Sequence, residues 1–162
     1  MPAPDGLEKQ ARTIEEIRRA IELLKNGYKH HLKIDGSRVF KQHVQEALKL
    51  VKTAGYHDFL RTYIRRIEEI DGLTQLREAD ATIWANEYTV RNPVDAASLF
   101  VQKANHMKEY LEGRLYYGGK AETRSVQKRV EFLRKLKQKS QDEKVKNECA
   151  RLLGIWSESV FL

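Results

Sequence analysis

The chain has 162 residues, 41% hydrophobic and 33% charged, with a formal net charge of +7. A domain of this length buries roughly 70% of its unfolded surface, so one well-solvated globular domain is expected over residues 1–162. No apolar run approaches the ~20 residues of a membrane helix, and Cys149, the lone cysteine, permits neither an internal disulfide nor a cysteine-cluster zinc site. The Met-Pro-Ala-Pro-Asp start lacks the basic-then-apolar order of a secretion signal, and a reducing cytoplasm is the expected home. The positive charge favours acidic partners such as nucleic acid or an anionic surface.

Helical periodicity dominates the chain. After a flexible N-terminus over residues 1–12, Thr13 and Glu16 form a capping box, and Ile14, Ile17, Ala20, Ile21 and Leu24 make one apolar stripe that Asn26-Gly27 ends. Asp35-Gly36-Ser37 marks a turn into a second helix, where Val39, Phe40, Val44, Ala47, Leu48 and Val51 recur until Gly55. A third helix is expected from Asp58, with Phe59, Leu60, Tyr63, Ile64 and Ile67 inward, stopped by Asp71-Gly72. Thr82, Ile83, Trp84, Tyr88 and Val90 change the texture to β-branched and aromatic, predicting one short strand or hairpin near residues 81–91.

Asn92-Pro93 is a strong helix start, and that helix runs through His106 to about Glu112. Beyond Gly118-Gly119 another helix covers roughly Ala121 to Lys139. Ser140 with Glu143 reads as a second capping box, opening a short helix that Gly154 closes. Trp156, Val160 and Phe161 lie in or beside a C-terminal tail, residues 157–162, expected to dock on the body. The fold class that follows is mainly α, a single-domain helical bundle with a minor β element.

One stretch of this pattern carries chemistry in negative. A zinc-protease helix reads His-Glu-x-x-His, its two histidines one turn apart as ligands and the acid activating water. Residues 101–106 read Val-Gln-Lys-Ala-Asn-His: Gln102 stands at the first ligand position, Lys103 at the acid, and His106 alone survives. Glu122, 16 residues after His106, stands on the next predicted helix, where such sites often find a third ligand.

Ala96-Ala97-Ser98-Leu99-Phe100-Val101-Gln102-Lys103-Ala104-Asn105-His106, then Gly119-Lys120-Ala121-Glu122, Val130-Glu131-Phe132-Leu133 and Trp156, follow a recurring order. It resembles that of small bacterial zincin-like proteins of the metallopeptidase type, with a His-[Glu/Asp]-x-x-His helix. The resemblance covers roughly residues 38–156 and implies a zincin-like, predominantly helical fold with its metal motif degenerate. His106 and Glu122 match ligand positions, but Gln102 is a neutral amide and a poor zinc ligand, leaving fewer than the usual three protein ligands. A charged Lys103 about 4 Å from a divalent ion would repel it by up to about 8 kcal/mol at an effective dielectric near 20.

The expectation is therefore a non-catalytic binding or assembly module, a pseudoenzyme without cofactor or metal. Its relic pocket would be lined by Gln102, Lys103, His106 and Glu122, with a Lys103–Glu122 ion pair replacing the metal's charge, and its partner would be a protein or another copy of itself. A second expectation uses the basic helices over residues 120–146, where Arg124, Lys128, Arg129 and Lys135 would track phosphates of a nucleic acid. A third is a hydrolase whose metal ligands come from elsewhere, among them His30, His31, His43 or His57. Ser98 and Ser125 lack a His/Asp context in the sequence, and no glycine-rich phosphate loop is present.

Overall fold

The computed structural model describes residues 13–114 and 118–160. Helix α1 (Ile14–Lys25) starts on the expected capping box, with Thr13 Oγ1 accepting from the Glu16 amide at 3.1 Å. Helix α2 (Arg38–Thr53) follows strand β1 (Lys33–Asp35), and the Ser37 hydroxyl caps it at the Phe40 amide. Between them Gly36 passes so close to Glu69 and Phe40 that a Cβ there would lie 2.7 Å from a carbon of each.

The third helix is shorter than periodicity suggests. Helix α3 (His57–Tyr63) stops before strand β2 (Arg66–Glu69), so Ile67 belongs to a sheet. Strand β3 (Gln75–Arg77), a 3-10 turn at Glu78–Asp80 and strand β4 (Thr82–Ala85) complete a four-stranded sheet in the order β1-β2-β4-β3. β1, β2 and β4 are parallel, while β3 runs antiparallel to β4 at the edge. Register aligns Ile34, Ile67, Ile83 and Leu76 in one apolar row across all four strands. The expected strand near residues 81–91 is thus present at Thr82–Ala85, but Glu87–Val90 is a helical turn, α4, capped by Asn86.

Helix α5 (Pro93–Leu111) is central and packs against α2, α3 and helix α6 (Gly119–Lys139). Asn92 Oδ1 accepts from the Val94 and Asp95 amides at 3.1 Å, satisfying the first-turn donors as Asn-Pro predicts. Ala97, Phe100, Val101, Ala104 and Met107 are fully buried, so α5 is enclosed where α1 has no buried residue. Helix α7 (Glu143–Val160) packs most extensively on α6.

Two expectations fail at α7. Asp142 caps it, its carboxylate accepting from the Lys144 amide at 2.8 Å, while Ser140 ends α6 and accepts from Asp142. Gly154 does not close the helix; its missing Cβ faces open space, and the i→i−4 ladder passes through. Trp156 consequently sits on a helix rather than in a tail. The expected flexible stretch 1–12 and the tail residues 161–162 lie outside the described residues.

Candidate functional site

The α5–α6 contact is a ladder of polar groups. Asp95, Ser98, Gln102, Asn105, His106 and Glu109 recur at three- and four-residue steps along α5 and face one side. Across from them α6 presents Arg124, Ser125 and Arg129.

Arg129 organises the upper part. Its Nη2 donates to Asp95 Oδ1 at 2.7 Å, its Nε to Ser98 Oγ at 3.1 Å and its Nη1 to Gln102 Oε1 at 3.0 Å. The side chain is 6% exposed, and the Trp156 ring covers the guanidinium with its centroid 4.3 Å from Cζ. Burial pulls this guanidinium below its ordinary pKa, and the charge and hydrogen bond of Asp95 oppose the pull. A guanidinium stays charged in proteins, so Arg129 places a full positive charge between the two helices.

The chain of bonds continues downward. Gln102 Nε2 donates to Ser125 Oγ, and Ser125 Oγ lies 3.0 Å from His106 Nε2. Ser125 Oγ has two lone pairs and one proton, so it donates to the imidazole or accepts from it according to the ring's tautomer. Burial, then the charge of Lys103, lower the His106 pKa to about 4, Glu109 opposing, so the ring is neutral at pH 7. Below, Glu109 is buried and clasped by Arg124 through two hydrogen bonds of 3.1 and 2.8 Å, with Asn105 donating a third at 3.1 Å. The hydrogen bonds from Arg124 are the main reason its carboxyl titrates below the usual range.

Three of the four residues expected in the relic pocket lie on this part of the fold, and one does not. Gln102 and His106 share Ser125, as their one-turn spacing implies. Lys103 is half-buried; burial and the nearby Arg129 hold its ammonium's pKa down, and the acid that opposes them is Glu78 of the 3-10 turn. Glu122 is exposed. The inward stripe of α6 runs Ala121, Ser125, Arg129, one residue out of phase with Glu122, so the expected Lys103–Glu122 pair gives way to Arg129–Asp95. Sequence reasoning missed Arg129, Ser125 and Asp95 as pocket residues. A signal was present: buried Ala121, Ser125, Phe132 and Leu136 recur with Arg129 at three- and four-residue steps.

The cations expected to track phosphate do not form one solvated face. Arg129 is buried and Arg124 is bound to Glu109. Lys128 pairs with Glu131 at 3.1 Å and stands 4.7 Å over the Phe59 ring. Lys135 alone of the four is exposed. The other histidines are dispersed: His30 and His31 precede β1, His43 on α2 meets Glu87 at 3.5 Å, and His57 opens α3. Among the described residues no three His, Cys, Asp or Glu side chains are grouped to hold a metal, and none of the described helices is long and apolar enough to cross a membrane.

The polar side chains that join α5 to α6 bond chiefly to one another. The Ser125–His106 contact has the form of an activated hydroxyl, yet Ser125 is 3% exposed and wedged between two packed helices. A substrate carbonyl reaches its Oγ only if α5 and α6 separate. No family model, no curated protein and no solved structure matches this chain.

Proposed function

We propose that this chain is a non-catalytic, zincin-like protein that works as a binding or assembly module, its metal replaced by a side-chain cation. One observation carries the reading: the Arg129 guanidinium bonds to Gln102 Oε1 at 3.0 Å, at the residue standing where a first zinc ligand is expected. An amide is a poor zinc ligand but a good acceptor for guanidinium, so the loss of the histidine and the gain of the arginine fit one another. Lys103 adds a second positive group nearby, and a divalent ion would have to enter against both. Without the acid at position 103 no side chain of this motif can serve as the water-activating base.

Such a pocket stabilises a scaffold instead of turning over substrate. The described ladder supplies its own cation, donors and acceptors, so α5 and α6 stay docked without an ion. Elemental analysis of the purified full chain, with zinc supplied and excess removed by dialysis, tests this. Zinc well below one equivalent and a melting temperature unmoved by a chelator are expected. One equivalent of zinc, lost in His106→Ala, would defeat the proposal.

A further inference from the structure

The outward side of α6 carries a groove that the ladder does not use. Gln127, Val130, Glu131, Arg134, Lys135 and Gln138 line it, with Ser157 of α7 beside them, and its volume is about 530 Å³. These α6 positions recur at three- and four-residue steps, so a single stripe of the helix runs along the groove for about 16 Å at 1.5 Å per residue. Val130 is the apolar floor, almost covered. Arg134, Lys135 and Gln138 are exposed, and their aliphatic stems widen the apolar surface while their heads reach water.

The charges are uneven. Glu131 is compensated within the chain by Lys128 at 3.1 Å. Among the described residues no ion pair engages Arg134 or Lys135, so the groove presents net positive charge above an apolar base. Gln127 and Gln138, toward opposite ends of the stripe, each offer a donor and an acceptor.

We infer that this groove docks a short acidic, amphipathic helix of a partner protein, apolar side chains over Val130 and carboxylates on Arg134 and Lys135. Helix-in-groove recognition uses anchors at i, i+3, i+4 and i+7 against an apolar floor with complementary charge at the rim. A nucleic-acid backbone fits this stripe less well. It needs a row of cations, whereas the groove offers only Arg134 and Lys135, and the neighbouring Lys128 is paired with Glu131 and turned onto aromatic rings. The inference rests on the chain acting through binding, but not on what fills the α5–α6 pocket.

The test is fluorescence anisotropy on the full chain with a labelled synthetic helix of about fourteen residues carrying leucine and glutamate at those spacings. Saturable binding is expected. The double variant Arg134→Glu/Lys135→Glu should weaken it by at least about 10-fold. Lys41→Glu/Lys52→Glu removes the same charge from exposed sites on α2 and should weaken it by less than about 3-fold. All four positions are exposed, and circular dichroism checks that both variants fold. Absent binding at about 1 mM peptide overturns the inference, as does equal weakening by the two variants. Displacement of the peptide by a single-stranded oligonucleotide, with the oligonucleotide's own binding lost in the groove variant, overturns it in favour of nucleic acid. None of these results bears on the zinc assay, which decides the pocket separately.

Discussion

Replacing Arg129 with methionine keeps an unbranched side chain and deletes the guanidinium that the Trp156 ring covers. Three side chains lose a donor: Asp95, Ser98 and Gln102. Removing one partner of a buried ion pair typically costs about 3–5 kcal/mol because the other charge is stranded. Here the stranded carboxylate of Asp95 is 36% exposed and can be rehydrated, which reduces the cost. Ser98 Oγ keeps its bond to the Asp95 carbonyl, but Gln102 Oε1 loses its guanidinium donor, and an unsatisfied acceptor costs about 1–3 kcal/mol, partly offset by no longer burying a cation. The expected net loss is about 2–4 kcal/mol for Arg129→Met, and about half that for Arg129→Lys, which keeps the charge but not the fork. Urea denaturation followed by far-ultraviolet circular dichroism measures it, with an unchanged m-value as the check on two-state behaviour. Stability within about 0.5 kcal/mol of the parent would refute the view that this guanidinium holds α5 to α6.

Acid should weaken the fold through His106. Its folded pKa of about 4 lies below the unfolded value of 6.5, so the unfolded chain binds the extra proton first. The contribution is intact above pH 6.5 and lost as pH falls toward 4, amounting to about 3 kcal/mol. Denaturation midpoints of the parent should therefore fall between pH 6.5 and 4 more steeply than those of His106→Gln; parallel curves would contradict the neutral imidazole. Gly36→Ala should cost about 1–3 kcal/mol, because its Cβ would meet Glu69 Cβ and the fully buried Phe40 at 2.7 Å; a thermal melt at or above the parent's would show that the turn relaxes freely. Cys149 is fully buried, its thiol pushed up to about 11 by burial and Glu148. It should react with a thiol reagent at pH 8 only as fast as the chain unfolds, and stoichiometric labelling within seconds under native conditions would show it exposed.

What could be read from the chain follows how local each signal is. Thr13 and Asn92 cap helices through bonds to amides two or three residues away, and both positions are correct from sequence. β2 was hidden because Leu60, Tyr63, Ile64 and Ile67 fall at helical spacing; only pairing with Ile34 and Ile83, far along the chain, makes Ile67 a strand residue. Asp142 outcompetes Ser140 for the α7 cap by lying one residue before its start, a difference too small for a motif to resolve. The pocket was half legible. Gln102 and His106 share a face by their one-turn spacing, but Arg129 sits in a run of basic residues that reads as a solvated surface. Its burial depends on Asp95, 34 residues earlier, and on Trp156, 27 residues later.

The most direct measurement is a crystal structure of the full chain grown with excess zinc, with data collected on both sides of the zinc absorption edge. The Arg129 guanidinium should occupy the space beside Gln102, with no anomalous peak between α5 and α6. A zinc peak about 2.1 Å from His106 Nε2, with Arg129 swung out to solvent, would contradict the claim that a side chain has taken over the metal's charge.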